Sequence, residues 1–422
     1  VAAVDEAGVG RVVGEFLEMS HSVGPRDIAG LVDDTARALG MAGASVYLAD
    51  VQQVRLMPLP DDRPHGAGAD EPGIAVEGTL AGWAYRTMKP RTASADGRAE
   101  LWLPLVDGVE RIGVLRVATA SADPAAQDAA QDAAQDAAQD TAQDAVQERC
   151  RTLASLTALV VISKAAFSDV MAEAVRSRPM TLQAELAWAF MPPRTLGTRN
   201  VTSSAALEPA YEIGGDAFDH SLLRDRLHLT VVDAMGHDLA AGGASAVAVA
   251  GCRSTRRAGG GLADIAAAVD GALARWIPDR LLTAVFADLD TRTGRLTWVN
   301  FGHPPPLLIR RQHVVPGALE RPAQLPLGLG KGYPRGEAAV HHAQLEPGDR
   351  ILIHTDGVTE ARSVAGDLFG EERLVDLVVR SAAAGEPAPE ALRRLILALL
   401  EHQDHRLIDD ATIVLAEWHP RG

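Results

Sequence analysis

Apolar and polar positions change rhythm several times along the chain, and each rhythm predicts an element. Ile28, Leu31, Val32, Ala36 and Leu39 share one face of a helix. Residues 44–48 predict a strand, and residues 78–88, GTLAGWAYRTM, a short helix. Residues 101–106 and 112–117 are apolar runs of strand length joined by DGVER, a hairpin signal. Helix, strand, helix and two strands in that order predict an antiparallel sheet carrying helices. A longer helix is expected over about 145–177, where Leu153, Leu156, Val160, Ser163, Phe167, Val170 and Ala174 recur at alternating spacings of three and four. That seam suits a dimerising coiled coil, and it equally suits one amphipathic helix packed on its own domain. Leu182, Leu186 and Phe190 mark a second short helix, closed by Pro192 and Pro193.

Beyond about residue 200 strands dominate. Apolar runs of strand length lie at 227–232, 283–288, 296–300, 306–309, 350–354 and 412–417, and TRTG at 291–294 is a hairpin turn. Ala-rich helices are expected near 239–257 and 262–276, with two more near 371–382 and 388–403. Hairpin-linked strands with helices grouped between them predict an α+β layered fold.

Between these regions, residues 125–148 repeat AAQD with small variations. Ala and Gln favour helix, yet Asp128, Asp132, Asp136, Asp140 and Asp144 fall four apart, where like charges repel. The repeat can build no core, so it is expected to be a solvated helical or disordered insert marking a boundary.

The 422 residues leave room for two or three domains. With 40 basic and 56 acidic residues the net charge is −16, which argues against chain-wide affinity for nucleic acid or an anionic membrane. Cys150 and Cys252 cannot form a disulfide framework or a four-cysteine metal site. No stretch is apolar enough to span a bilayer, and the first residues lack the basic start of a signal peptide. The expected compartment is the cytoplasm.

Four acidic clusters stand at strand ends: Gly214-Gly215-Asp216-Ala217-Phe218-Asp219, Asp233-Ala234-Met235-Gly236-His237, Thr355-Asp356-Gly357, and Asp409-Asp410-Ala411-Thr412. A strand end holds an Asp in a fixed direction. Converging carboxylates repel one another unless a cation stands among them. Magnesium or manganese, which prefer oxygen ligands, would relieve that conflict. A small residue beside the Asp lets a backbone carbonyl approach as well.

In this order the motifs LQAELAWAFMPP (182–193), EIGGDAFD (212–219), VVDAMGHD (231–238), LLTAVFADLDTRTGRLTWVNFGHPPPLL (281–308), ILIHTDGVTEAR (351–362) and DDATIVL (409–415) resemble the PPM-type metal-dependent serine/threonine protein phosphatases. The branch they resemble most acts on sigma-factor regulators, the SpoIIE-type phosphatases. The resemblance implies a four-layer α-β-β-α sandwich binding two divalent cations, manganese or magnesium. It implies metal ligands at Asp216, Asp233 (bridging both ions), the Ala234 carbonyl, Asp356 and Asp409, with Asp410 the alternative to Asp409. Asp219 would stand just behind them. The implied reaction is hydrolysis of phosphoserine or phosphothreonine by metal-activated water, without a covalent intermediate. The implied substrate is a phosphorylated anti-anti-sigma factor of the STAS type. Asp238 departs from the pattern, standing where the family usually has Gly; a left-handed backbone there would tolerate Asp at some cost. His237 and His303 are read as loop histidines with local hydrogen bonds.

Residues of about 8–120, with the following helix, resemble a GAF domain through GTLAGWAYRTMKPRT (78–92) and LWLPLVDGVERIGVLRVA (101–118). Such a domain would either bind a small ligand or serve as a sensory module without one, and Trp83 and Tyr85 are equally explained as core. The expected organisation is therefore a GAF-like sensor (1–122), the AAQD insert (123–148), a helical linker for dimerisation and switching (149–195), and a PPM-type domain (196–422), assembled as a homodimer. Two alternatives remain. GGDAF echoes a diguanylate cyclase signature, although Ala217 replaces an acid that chemistry needs. A pseudophosphatase that only binds its partner is the other.

Overall fold

The computed structural model describes residues 6–61, 72–95, 98–119, 133–212, 214–329, 336–405, 407 and 409–420. The chain divides between Ser177 and Arg178 into two compact units.

The N-terminal unit is built on a six-stranded sheet. Its strands are β1 (Gly43–Ala49), β2 (Arg55–Pro58), β3 (Ile74–Ala75), β4 (Arg91–Ala95), β5 (Arg98–Asp107) and β6 (Glu110–Ala118), in the order β3-β2-β1-β6-β5-β4. The antiparallel sheet with helices expected from the pattern is present. Period-two alternation sends Val46 and Leu48 to one face and Tyr47 to the other. The first face packs on α1 (Glu6–Ser22), α2 (Ile28–Ala38) and α4 (Ala133–Ala165) through Phe16, Ile28, Leu31, Cys150, Leu153 and Val161. The second holds a smaller cluster with Tyr85 and Ala84 of α3 (Leu80–Thr87).

The helix α4 runs without a break from the AAQD repeat into the predicted heptad region. The part of the repeat at 125–132 lies outside the described residues. The seam does not continue as one helix. It stops at Ala165, and α5 (Asp169–Ala174) starts anew, with the Ser168 hydroxyl accepting from the Met171 amide. Leu153 and Val160 are core, whereas Phe167 is exposed between the two helices. Over 150–161 the helix packs on its own unit.

In the C-terminal unit, β15 (His341–Gln344), β12 (Arg295–Phe301), β11 (Leu282–Asp290), β10 (Arg226–Ala234) and β9 (Asp216–Leu223) form one sheet in that order. The second sheet runs β14 (His313–Val314), β13 (Leu307–Arg310), β16 (Arg350–His354), β17 (Ala411–Trp418), β8 (Val201–Glu208) and β7 (Thr195–Gly197). The strand pairs in both sheets are antiparallel. Phe218, Val231, Val285, Trp298, Ile353 and Val414 fill the space between the sheets. Alternate residues face outward: Val232, Ala284 and Phe286 meet α7 (Leu239–Arg257) and α8 (Leu262–Trp276), while Leu352, Ile413 and Leu415 meet α10 (Glu371–Ala383) and α11 (Ala388–His402). This is the expected α-β-β-α sandwich. With both faces buried, strands such as β16 show apolar runs rather than alternation.

Candidate metal centre

The register of the first sheet builds one half of the site. β9 and β10 are antiparallel neighbours, and Asp216 lies directly opposite Asp233. Directly opposed residues point to the same face. Phe218 and Val231 of these strands line the inter-sheet core, while Ala217, Val232 and Ala234 face the helices. By period two, Asp216 and Asp233 therefore share the inter-sheet side at one end of the sheet. Asp219, three residues on, falls on the opposite side, beneath α7. Its carboxylate holds Arg253 at 2.7 Å and Arg256 at 3.1 Å. The resemblance set Asp219 just behind the metal ligands; its placement is under α7 instead.

The second sheet supplies the other half. At the end of β16 the chain turns at Thr355 into the single helical turn α9 (Asp356–Thr359). Thr355 is fully buried, and its hydroxyl donates to Asp216 Oδ2 at 2.8 Å and accepts the Thr412 amide at 2.9 Å. Asp410 Oδ2 accepts the amides of Gly214 (2.8 Å), Gly215 (2.7 Å) and Asp216 (3.3 Å). Asp409 is exposed, and its Oδ1 accepts the Asp410 amide. Two glycines permit this closeness. A Cβ on Gly215 would stand 2.1 Å from the Ala234 carbonyl oxygen, and one on Gly357 1.9 Å from that of Asp410.

Five carboxylates are thus brought into mutual electrostatic reach. Burial, then the charges of Asp233 and Asp410, hold the Asp216 carboxyl well above the usual carboxylate range. Burial, then Asp356, Asp409 and Asp410, push Asp233 up to about 7. Burial, followed by Asp409, raises Asp356. Burial also raises Asp410, against its three backbone hydrogen bonds. The charges acting most strongly on this group are its own members'. An added cation would favour the ionised forms of all of them.

Among the described residues, no three carboxylate, imidazole or thiol groups stand close enough to form one ion's ligand set. Magnesium needs no such trio, because it binds one or two carboxylates and keeps several waters. Paired carboxylates from opposing sheets fit that habit, and an all-oxygen donor set suits magnesium or manganese.

Asp238 is not in a left-handed turn. Its φ is −89°, and its carboxylate accepts the Ala241 amide as the N-cap of α7, while Arg280 holds its other oxygen. The positive φ falls on Gly236 instead. His303 makes the expected local bonds, to the Pro304 carbonyl and the Asn300 side chain, and burial drives its pKa down to about 4. His237 is exposed. Thr355 carried no motif signal of its own, because its value lies in contacts to residues 139 and 57 positions away.

Residues 224–419 match the family model described as Stage II sporulation protein E (SpoIIE). The matched residues lie within the C-terminal unit. The chain is 26% identical to Protein IcfG of Synechocystis sp. over 133 residues, 31% of this chain and 20% of that protein. Among solved structures, the RsbU and RsbW domains of Rv1364c from Mycobacterium tuberculosis align at 26% identity and a TM-score of 0.43, over 52% of this chain and 62% of that one. The SiaA-PP2C domain of Pseudomonas aeruginosa aligns at 23% identity and a TM-score of 0.44, over 52% of this chain and 86% of that one. This chain thus spans a fifth of IcfG and under two thirds of the Rv1364c structure. Within GGDAF, Ala217 is fully buried on the side of β9 that faces α7, opposite to Asp216. Among the described residues no helix is long and apolar enough to cross a membrane.

Proposed function

We propose that the C-terminal unit is a metal-dependent protein phosphatase that hydrolyses phosphoserine or phosphothreonine. The observation carrying this reading is the pairing of Asp216 with Asp233 at the end of one sheet, facing the turns of Asp356 and Asp409 from the other. Asp216, Asp233, Asp356 and Asp409, with the Ala234 carbonyl, would hold two divalent cations, manganese or magnesium. Asp233 feels Asp216 on one side and Asp356 and Asp409 on the other, which suits the shared ligand. Asp409 suits a ligand better than Asp410, because Asp410 already anchors three backbone amides. When bound, such cations activate a water and offset charge developing on the phosphoryl oxygens. The chain's own part is positional. Thr355 orients Asp216, Asp410 fixes the 214–216 backbone, and the rim carboxylates of Asp356 and Asp409 stay open to solvent.

The finer reading follows the same resemblance. The substrate is a phosphorylated anti-anti-sigma regulator of the STAS type, the N-terminal unit is a GAF-like sensor that controls the phosphatase, and the chain works in the cytoplasm as a homodimer.

The test is phosphate release from a serine-phosphorylated STAS protein by the full chain with manganese. Release that stops with a chelator and falls about 100-fold in Asp233→Asn is expected. Tight binding without release would favour the pseudophosphatase reading, and release indifferent to metal would overturn the proposal.

A further inference from the structure

A second site lies at the outer edge of β9, away from the carboxylate centre. An open cavity of about 640 Å³ is walled by Phe190 and Pro192 after α6 (Leu182–Phe190), by Leu222 of β9, and by Arg253, Arg256 and Arg257 at the end of α7. Three arginines and one carboxylate line it. Asp219 is 2% exposed at its side chain and engages Arg253 and Arg256, holding both guanidinium groups in place. Arg257 is exposed and has no ion pair or side-chain hydrogen bond among the described residues. The cavity carries a surplus of two positive charges in a chain whose net charge is −16. Arginines at a helix C-terminus also complement its dipole, but that effect needs no buried aspartate to fix two of them beside a cavity.

The other wall adds a backbone feature. β9 is the outermost strand of its sheet, paired with β10 on one side only. Residues 216–220 are buried, so it is the end of the strand at 221–223 that offers backbone amides and carbonyls to an extended chain. Leu222 is half-buried and Leu223 exposed at this edge, next to the apolar Phe190–Pro192 segment.

We propose that this cavity docks an extended acidic segment of a partner protein, laid beside residues 221–223 of β9 with Asp or Glu side chains on Arg253 and Arg257 and apolar neighbours against Phe190 and Leu223. The charge complementarity chooses acid over base, and the mixture of arginine, apolar wall and strand edge chooses a peptide over a bare anion. The proposal stands independently of the phosphatase reading, because none of these residues belongs to the carboxylate centre.

The experiment is fluorescence anisotropy on the full chain with a labelled peptide alternating Glu and Leu, and with its Gln-Leu counterpart. Saturable binding of the Glu peptide is expected, about tenfold weaker for the Gln peptide and about tenfold weaker again for Arg257→Glu. Arg257→Gln, a milder change at an exposed position, should give an intermediate loss with an unchanged melting curve. Equal binding of both peptides, or no loss in either Arg257 variant, would overturn the proposal. So would full displacement by millimolar inorganic phosphate, since that would mark a simple anion site.

Discussion

The Thr355 hydroxyl donates to Oδ2 of Asp216 across 2.8 Å, joining the second sheet of the C-terminal unit to the first. The Thr355 hydroxyl oxygen also accepts the Thr412 amide, so one buried hydroxyl at the end of β16 ties β9 and β17 together. Thr355→Val keeps the shape and removes both bonds. A buried acceptor and a buried amide would be left unsatisfied, at a cost of about 1–3 kcal/mol each. Urea denaturation should show a lowered midpoint for Thr355→Val and a value near wild type for Thr355→Ser.

Gly357 has no room for a side chain. Its missing Cβ would stand 1.9 Å from the Asp410 carbonyl oxygen, which is backbone and cannot swing away. Gly357→Ala should therefore push the Asp409–Asp410 turn outward and destabilise the domain by about 1–3 kcal/mol. A thermal melt checks this; an unchanged melting temperature would mean the two segments are not in contact.

His228 predicts a pH dependence away from the metal centre. Its Nδ1 meets Asp288 at 2.8 Å, and its Nε2 lies near Thr230 and Cys252 at 2.8 and 3.1 Å. Burial alone would hold the ring neutral, but the hydrogen bonds to Asp288 and Cys252 outweigh it and push the pKa up to about 9. A group whose folded pKa exceeds its unfolded value of about 6.5 adds stability that is complete below the lower value. This contribution should fade as pH rises through about 9. Denaturation across that range should show the loss in wild type, and a flatter profile in Asp288→Asn.

Asp238 caps α7 through the Ala241 amide and pairs with Arg280. Asp238→Ala should lower the denaturation midpoint by removing the cap, and Asp238→Ser should recover most of the loss. A gain in stability from Asp238→Gly would contradict the capping role, since φ here is −89° and needs no glycine.

Much of the C-terminal fold is legible in the chain because its hairpins are local. TRTG joins β11 to β12, and their apolar runs show plainly. β8 and β9 are harder to see, because Ser203, Ser204, Asp219 and His220 interrupt them with polar residues that are nonetheless buried. Ser203 and His220 satisfy each other between the sheets at 2.9 Å, and Asp219 is satisfied by two arginines from α7. Such partners lie outside any local window. The same holds in the site: the acidic clusters stand out, but the anchoring role of Asp410 depends on amides nearly 200 residues earlier in the chain. In the N-terminal unit, the heptad spacing continues past Ala165 although the helix does not, because Ser168 can cap a new helix in the middle of the pattern.

Calorimetric titration of manganese into the metal-stripped full chain measures the central claim most directly. Two saturable sites are predicted in wild type, both weakened in Asp233→Asn, and one retained in Asp356→Asn. Absence of saturable binding, or isotherms for Asp233→Asn that overlay wild type, would contradict the account.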